Sequence, residues 1–113
     1  MAALARVWLC TEECSFVLAD HIGELSIRSP EDRPLTRMPD GDVRVAVRTG
    51  DGAYVTALTC ASDRAPALLA DLARVLTEAA DHPEPCAFVH AEGAGGSHPS
   101  WAISSAPPES WPG

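Results

Sequence analysis

Lysine, asparagine and glutamine are absent from this chain, and all eight basic residues are arginine. The missing lysine removes Schiff-base chemistry and the ammonium of a phosphate-binding loop. The missing amides remove a side-chain donor for an oxyanion hole. No apolar run approaches the roughly 18 residues of a membrane-crossing helix. The first residues, Met1 to Arg6, lack a basic leader, and Val7 to Cys10 is too short for the apolar stretch of a secretory signal. The chain is therefore expected in the cytoplasm and off the membrane.

What is present is ordinary for one folded domain. The 113 residues are 46% hydrophobic and 21% charged, which suits a packed core and argues against wholesale disorder. Sixteen acidic side chains against eight basic ones give a net charge of −8. That charge opposes binding to nucleic acid or to anionic lipid, and it suits a basic protein partner.

Apolar periodicity predicts the elements. Arg6 to Cys10 and Cys14 to Ala19 read as two strands around the polar break Thr11-Glu12-Glu13. Glu24 to Arg28 alternates, with Leu25 and Ile27 in phase. A charged loop follows from Ser29 to Gly41, with Pro30, Pro34 and Pro39. Val43, Val45 and Val47 then alternate with Arg44, Ala46 and Arg48, and Thr49 to Gly52 supplies a turn into Tyr54 to Cys60. This is the clearest hairpin in the chain.

One helix is predicted next. Leu68, Leu69, Leu72, Val75, Leu76 and Ala79 make a single apolar stripe. Asp63 is the expected N-cap, Pro66 falls in the first turn, and Pro83 and Pro85 stop the helix near His82. Cys86 to Ala91 and Trp101 to Ser104 read as two closing strands around a glycine-rich connection. The expected fold is α+β: a curved antiparallel sheet of about six to seven strands with the helix on one face. Residues 1–105 form the domain, and 106–113 are a proline-rich tail.

Candidate chemistry is sparse. Cys10 and Cys14 could supply half of a zinc site, completed by Cys86 and His90, although the C-x₃-C spacing departs from the usual C-x₂-C. Buried thiols acting as small hydrophobes are the alternative. The acidic pairs Glu12–Glu13, Glu31–Asp32 and Asp40–Asp42 all fall in predicted loops, where adjacent carboxylates are ordinarily solvated. No sequence signature of a nucleophile and its base is present. Trp8, Phe16 and Phe88 are expected in the core. Trp101 and Trp111, in a region otherwise poor in large apolar groups, are candidate anchors for a partner. Arg33, Arg37, Arg44 and Arg48 complete the candidate partner-binding set.

The helix stop followed by Pro85-Cys86-Ala87-Phe88-Val89 resembles the C-terminal half of small bacterial immunity proteins that neutralise toxins. The resemblance is confined to that stretch. It implies a compact acidic α+β domain that works by binding. The sequence thus points to a non-enzymatic protein that associates with another protein, one of basic character or a second copy of itself as a homodimer, and needs no cofactor. A Cys/His zinc module and a small-molecule binder or small enzyme, with a pocket between helix and sheet, are the alternatives.

Overall fold

The computed structural model describes residues 6–13, 15–31, 33, 35, 37–83, 85–93 and 98–106. Among these residues seven strands and one α-helix follow one another as β1 (Val7–Cys10), β2 (Phe16–Leu18), β3 (Ile22–Arg28), β4 (Asp42–Thr49), β5 (Tyr54–Ala61), α1 (Ala65–Ala79), β6 (Ala87–Glu92) and β7 (Ser100–Ser104). A single 3₁₀ turn, Ala19–His21, joins β2 to β3. The α+β class and the strand sequence agree with the periodicity.

The sheet does not. In place of one curved antiparallel sheet there are two, ordered β2-β1-β6-β7 and β3-β4-β5. The division follows from one pairing that local patterns do not encode. β1 and β6 run parallel, with Val7 opposite Ala87 and Leu9 opposite Val89. A parallel pair needs a long crossover, and here the whole of β2 to α1 forms it. β4 therefore pairs only with β3 and β5, on antiparallel registers such as Val45 with Ile27 and Leu58.

The sheets share one core. Val7 and Leu9 of β1, Val43, Val45 and Val47 of β4, Leu58 of β5 and Val89 of β6 are at most 1% exposed. The helix adds Leu68, Leu72, Val75, Leu76 and Ala79, the stripe its periodicity predicts. It touches β6 and β7 of one sheet and β3 and β4 of the other, so it bridges the two sheets and does not lie on one of them alone.

The helix ends are built by backbone and by a distant side chain. Arg64, not Asp63, is the cap residue, and no side-chain cap bond is made. The turn that leaves β5, closed by Arg64 N–H on the Ala61 carbonyl at 3.0 Å, carries the chain straight into the helix and leaves Asp63 inside it. At the other end the Arg6 guanidinium donates to the carbonyls of Ala80 (3.2 Å) and His82 (3.0 Å). A cation on the exposed carbonyls of a helix C-terminus is favourable, and it ties the start of β1 to the end of α1.

The β4–β5 turn is made by its own side chains. The Asp51 carboxylate accepts from the Thr49 hydroxyl and from Ala53 N–H, and Gly52 takes the left-handed conformation at φ 89°. These bonds hold the Asp51 carboxyl below its ordinary range.

Candidate functional site

Two surfaces carry side chains that the core does not use. The first is the outward face of the four-stranded sheet. Strand alternation turns Val7 and Leu9 inward, so Trp8 turns outward, opposite Leu18 on β2 and Phe88 on β6. Phe16 lies between the other two rings, with centroids 6.4 Å from Trp8 and 5.6 Å from Phe88 in edge-on and tilted geometry. Such pairs are favourable beyond their buried area. Phe16 is 43% exposed, and Trp8, Leu18 and Phe88 are partly so. These aromatics were expected in the core. The structure places them on the far side of the sheet from it. A cleft of about 590 Å³ runs from Trp8, Phe16 and Leu18 to His21 and the turn residues Thr49 to Asp51.

The second surface is the outward face and free edge of the three-stranded sheet. Glu24, Arg48 and Tyr54 lie in one cross-strand row. Tyr54 Oη donates to Glu24 at 3.1 Å, and Arg48 approaches the same carboxylate at 3.9 Å. The Arg28 guanidinium covers the Tyr54 ring, 3.8 Å from its centroid. Beside them a cleft of about 380 Å³ is lined by Arg44, Tyr54, Thr56, Glu12 and Glu13.

Glu12 and Glu13, read as solvated loop residues, are not free here. The Glu13 carboxylate accepts from Thr56 N–H. The Glu12 carboxylate accepts from Thr59 N–H at 2.9 Å and from the Thr59 hydroxyl. Both carboxylates are thus committed to the backbone of β5. No proton-transfer pair with a free base emerges from this arrangement.

The sequence candidates are dispersed. Arg44 and Arg48 share the polar face, whereas Arg33 and Arg37 are exposed in the loop between β3 and β4. Trp101 is partly buried against the core, and its indole N–H donates to the Leu68 carbonyl at 2.9 Å. The period-two pattern of Trp101 and Ile103 was the available signal, because both positions turn to the helix side. Trp111 and the tail from 107 onward lie outside the described residues.

Of the zinc candidates, Cys10 is buried, Cys86 is exposed, His90 is half-buried, and Cys14 lies outside the described residues. Among the described residues no group of three or more His, Cys, Asp or Glu side chains converges as metal ligands would. A shallow groove of about 270 Å³ does lie between α1 and β3, lined mostly by apolar groups with Glu24 at its rim.

Burial pushes the Cys10 thiol up to about 11. Cys60 is raised as well, by burial first and then by the charges of Asp42, Asp63 and Glu12. Iodoacetamide at about pH 8 should therefore alkylate Cys86 at least about tenfold faster than Cys10 or Cys60, read by mass spectrometry. The native state holds the Cys10 proton more tightly than the unfolded chain. Its contribution to stability is complete below about pH 9 and is lost as pH rises toward about 11. Denaturant titrations across that window should show the decline, and Cys10→Ala should make it shallower, with Cys60 supplying the remainder.

Among the described residues no helix is long and apolar enough to cross a membrane. Comparison with family models, curated proteins and solved structures gives no match for this chain.

Proposed function

We propose that this is a small acidic cytoplasmic protein of regulatory or inhibitor type, which acts by association and not by catalysis. Its first association is with a second copy of itself, through the outward face of the four-stranded sheet. The observation that carries this reading is the partly exposed set of Trp8, Phe16, Leu18 and Phe88 on a sheet whose other face is already buried. Aromatic clusters of this kind dominate the energetics of protein interfaces.

Charge restricts where a second copy could dock. Two molecules of net charge −8 repel. They can meet closely only where carboxylates are scarce. The row Leu18, Trp8, Phe88, Ser104 across this sheet contains no charged residue.

Sedimentation velocity over a range of concentrations tests the reading. The wild type should sediment as a dimer, and added salt should tighten it by screening the net repulsion. Phe16→Asp should weaken the dimer by about 30-fold or more, as expected for loss of an interface hot spot of about 2 kcal/mol. A wild-type protein that stays monomeric at high concentration would exclude the dimer.

A further inference from the structure

We infer that the outer edge of β5 is a strand-docking site for β5 of a second copy, held shut by Glu12 and Glu13. The inference stands apart from the aromatic face, which belongs to the other sheet.

β5 is an edge strand of the three-stranded sheet. Its sequence, Tyr54-Val55-Thr56-Ala57-Leu58-Thr59-Cys60-Ala61, has no charge, no proline and no glycine, and it is rich in β-formers. Such a segment on an open edge is a template for another strand. The edge also has an unusual spacing. Outward N–H groups normally recur at every second residue of a strand. Here two of them, Thr56 and Thr59, are three apart, and both point at the β1–β2 loop. The cause is a bulge. Val45 pairs with Leu58 and Ala46 with Thr56, which leaves Ala57 as the extra residue and resets the alternation.

That spacing is self-complementary. A two-fold axis between Ala57 and Leu58 sets Thr56 of one copy opposite Thr59 of the other. Each such pair can then exchange two N–H···O=C bonds, with both bulges at the centre. The same two N–H groups are the ones that Glu12 and Glu13 occupy. Strand addition therefore requires the carboxylates to leave, and while they stay the edge is closed. Bonds from N–H to an ionised carboxylate are about twice as strong as neutral ones, which suits a clasp.

The test uses the full chain in the Phe16→Asp background, so that association at the aromatic face does not contribute. Amide exchange is read at Thr56 and Thr59, and mass by light scattering. Glu13→Ala should speed exchange at Thr56 alone, and Glu12→Ala at Thr59 alone, each by about tenfold or more. The double variant Glu12→Ala/Glu13→Ala should dimerise as concentration rises and regain protection at both amides. Adding Thr59→Pro, which removes one donor from the edge, should return it to monomer.

Unchanged exchange in the single variants would overturn the clasp. A folded double variant that stays monomeric would overturn the docking site, as would a dimer that survives Thr59→Pro. The single variants decide the clasp even if the double variant unfolds. If Phe16→Asp leaves the mass of the otherwise unaltered chain unchanged, the aromatic-face reading fails and this one does not.

Discussion

Replacing Leu72 by alanine should lower the free energy of unfolding by about 3 kcal/mol or more, within the range for buried leucines. Leu72 is fully buried, and the helix that carries it meets both sheets. Truncation would open a void between layers that are held apart by their own hydrogen-bonded strands, so neighbouring side chains can refill it only in part. A domain of this length has about 5–15 kcal/mol of stability in total. The loss should therefore appear as a fall in Tm of about 10 °C or more. Thr77→Ala, on the exposed side of the same helix, removes only a hydroxyl bonded to the Ala73 carbonyl. It should change stability by less than about 0.5 kcal/mol. Urea titration of both variants decides the matter. A cost below about 1 kcal/mol for Leu72→Ala would mean that α1 does not close the core.

The helix and the β4–β5 hairpin were legible because each is specified within a short window. Val43, Val45 and Val47 are all buried, as their alternation requires, and the turn residues Thr49 to Gly52 make the bonds that a tight connection needs. The four-stranded sheet was not legible in the same way. Its central pairing joins Val7 to Ala87, and no local turn signals a contact between such distant positions. The facing of β1 was equally hidden. Val7, Trp8, Leu9 and Cys10 are apolar on both sides, so period two cannot say which set is buried, and ranking by size chooses the tryptophan wrongly. Packing decides it. The inner face of that sheet meets other layers and takes Val7 and Leu9. The role of Glu12 and Glu13 had no sequence signal, because the donors they meet are set by a bulge in β5, more than forty residues downstream.

Trp101→Ala should be the second large loss, about 3 kcal/mol, and it should fall on stability while leaving association intact. The side chain packs on the core from β7, an edge strand of its sheet, and its N–H satisfies the Leu68 carbonyl in the first turns of α1. One residue thus fastens the edge of the four-stranded sheet to the helix. Alanine removes the packing and leaves that carbonyl without its indole donor. Trp101→Phe separates the two contributions. It keeps most of the apolar contact and forfeits one neutral hydrogen bond, so it should cost about 1 kcal/mol. The contrast with Phe16→Asp then distinguishes a core tryptophan from an interface aromatic. The Trp101 variants should unfold at lower denaturant yet sediment like the wild type while folded, and Phe16→Asp should change the sedimentation while its monomer stays folded. Equal stability of Trp101→Ala and wild type, together with weakened association, would restore Trp101 to the docking surface and remove it from the core.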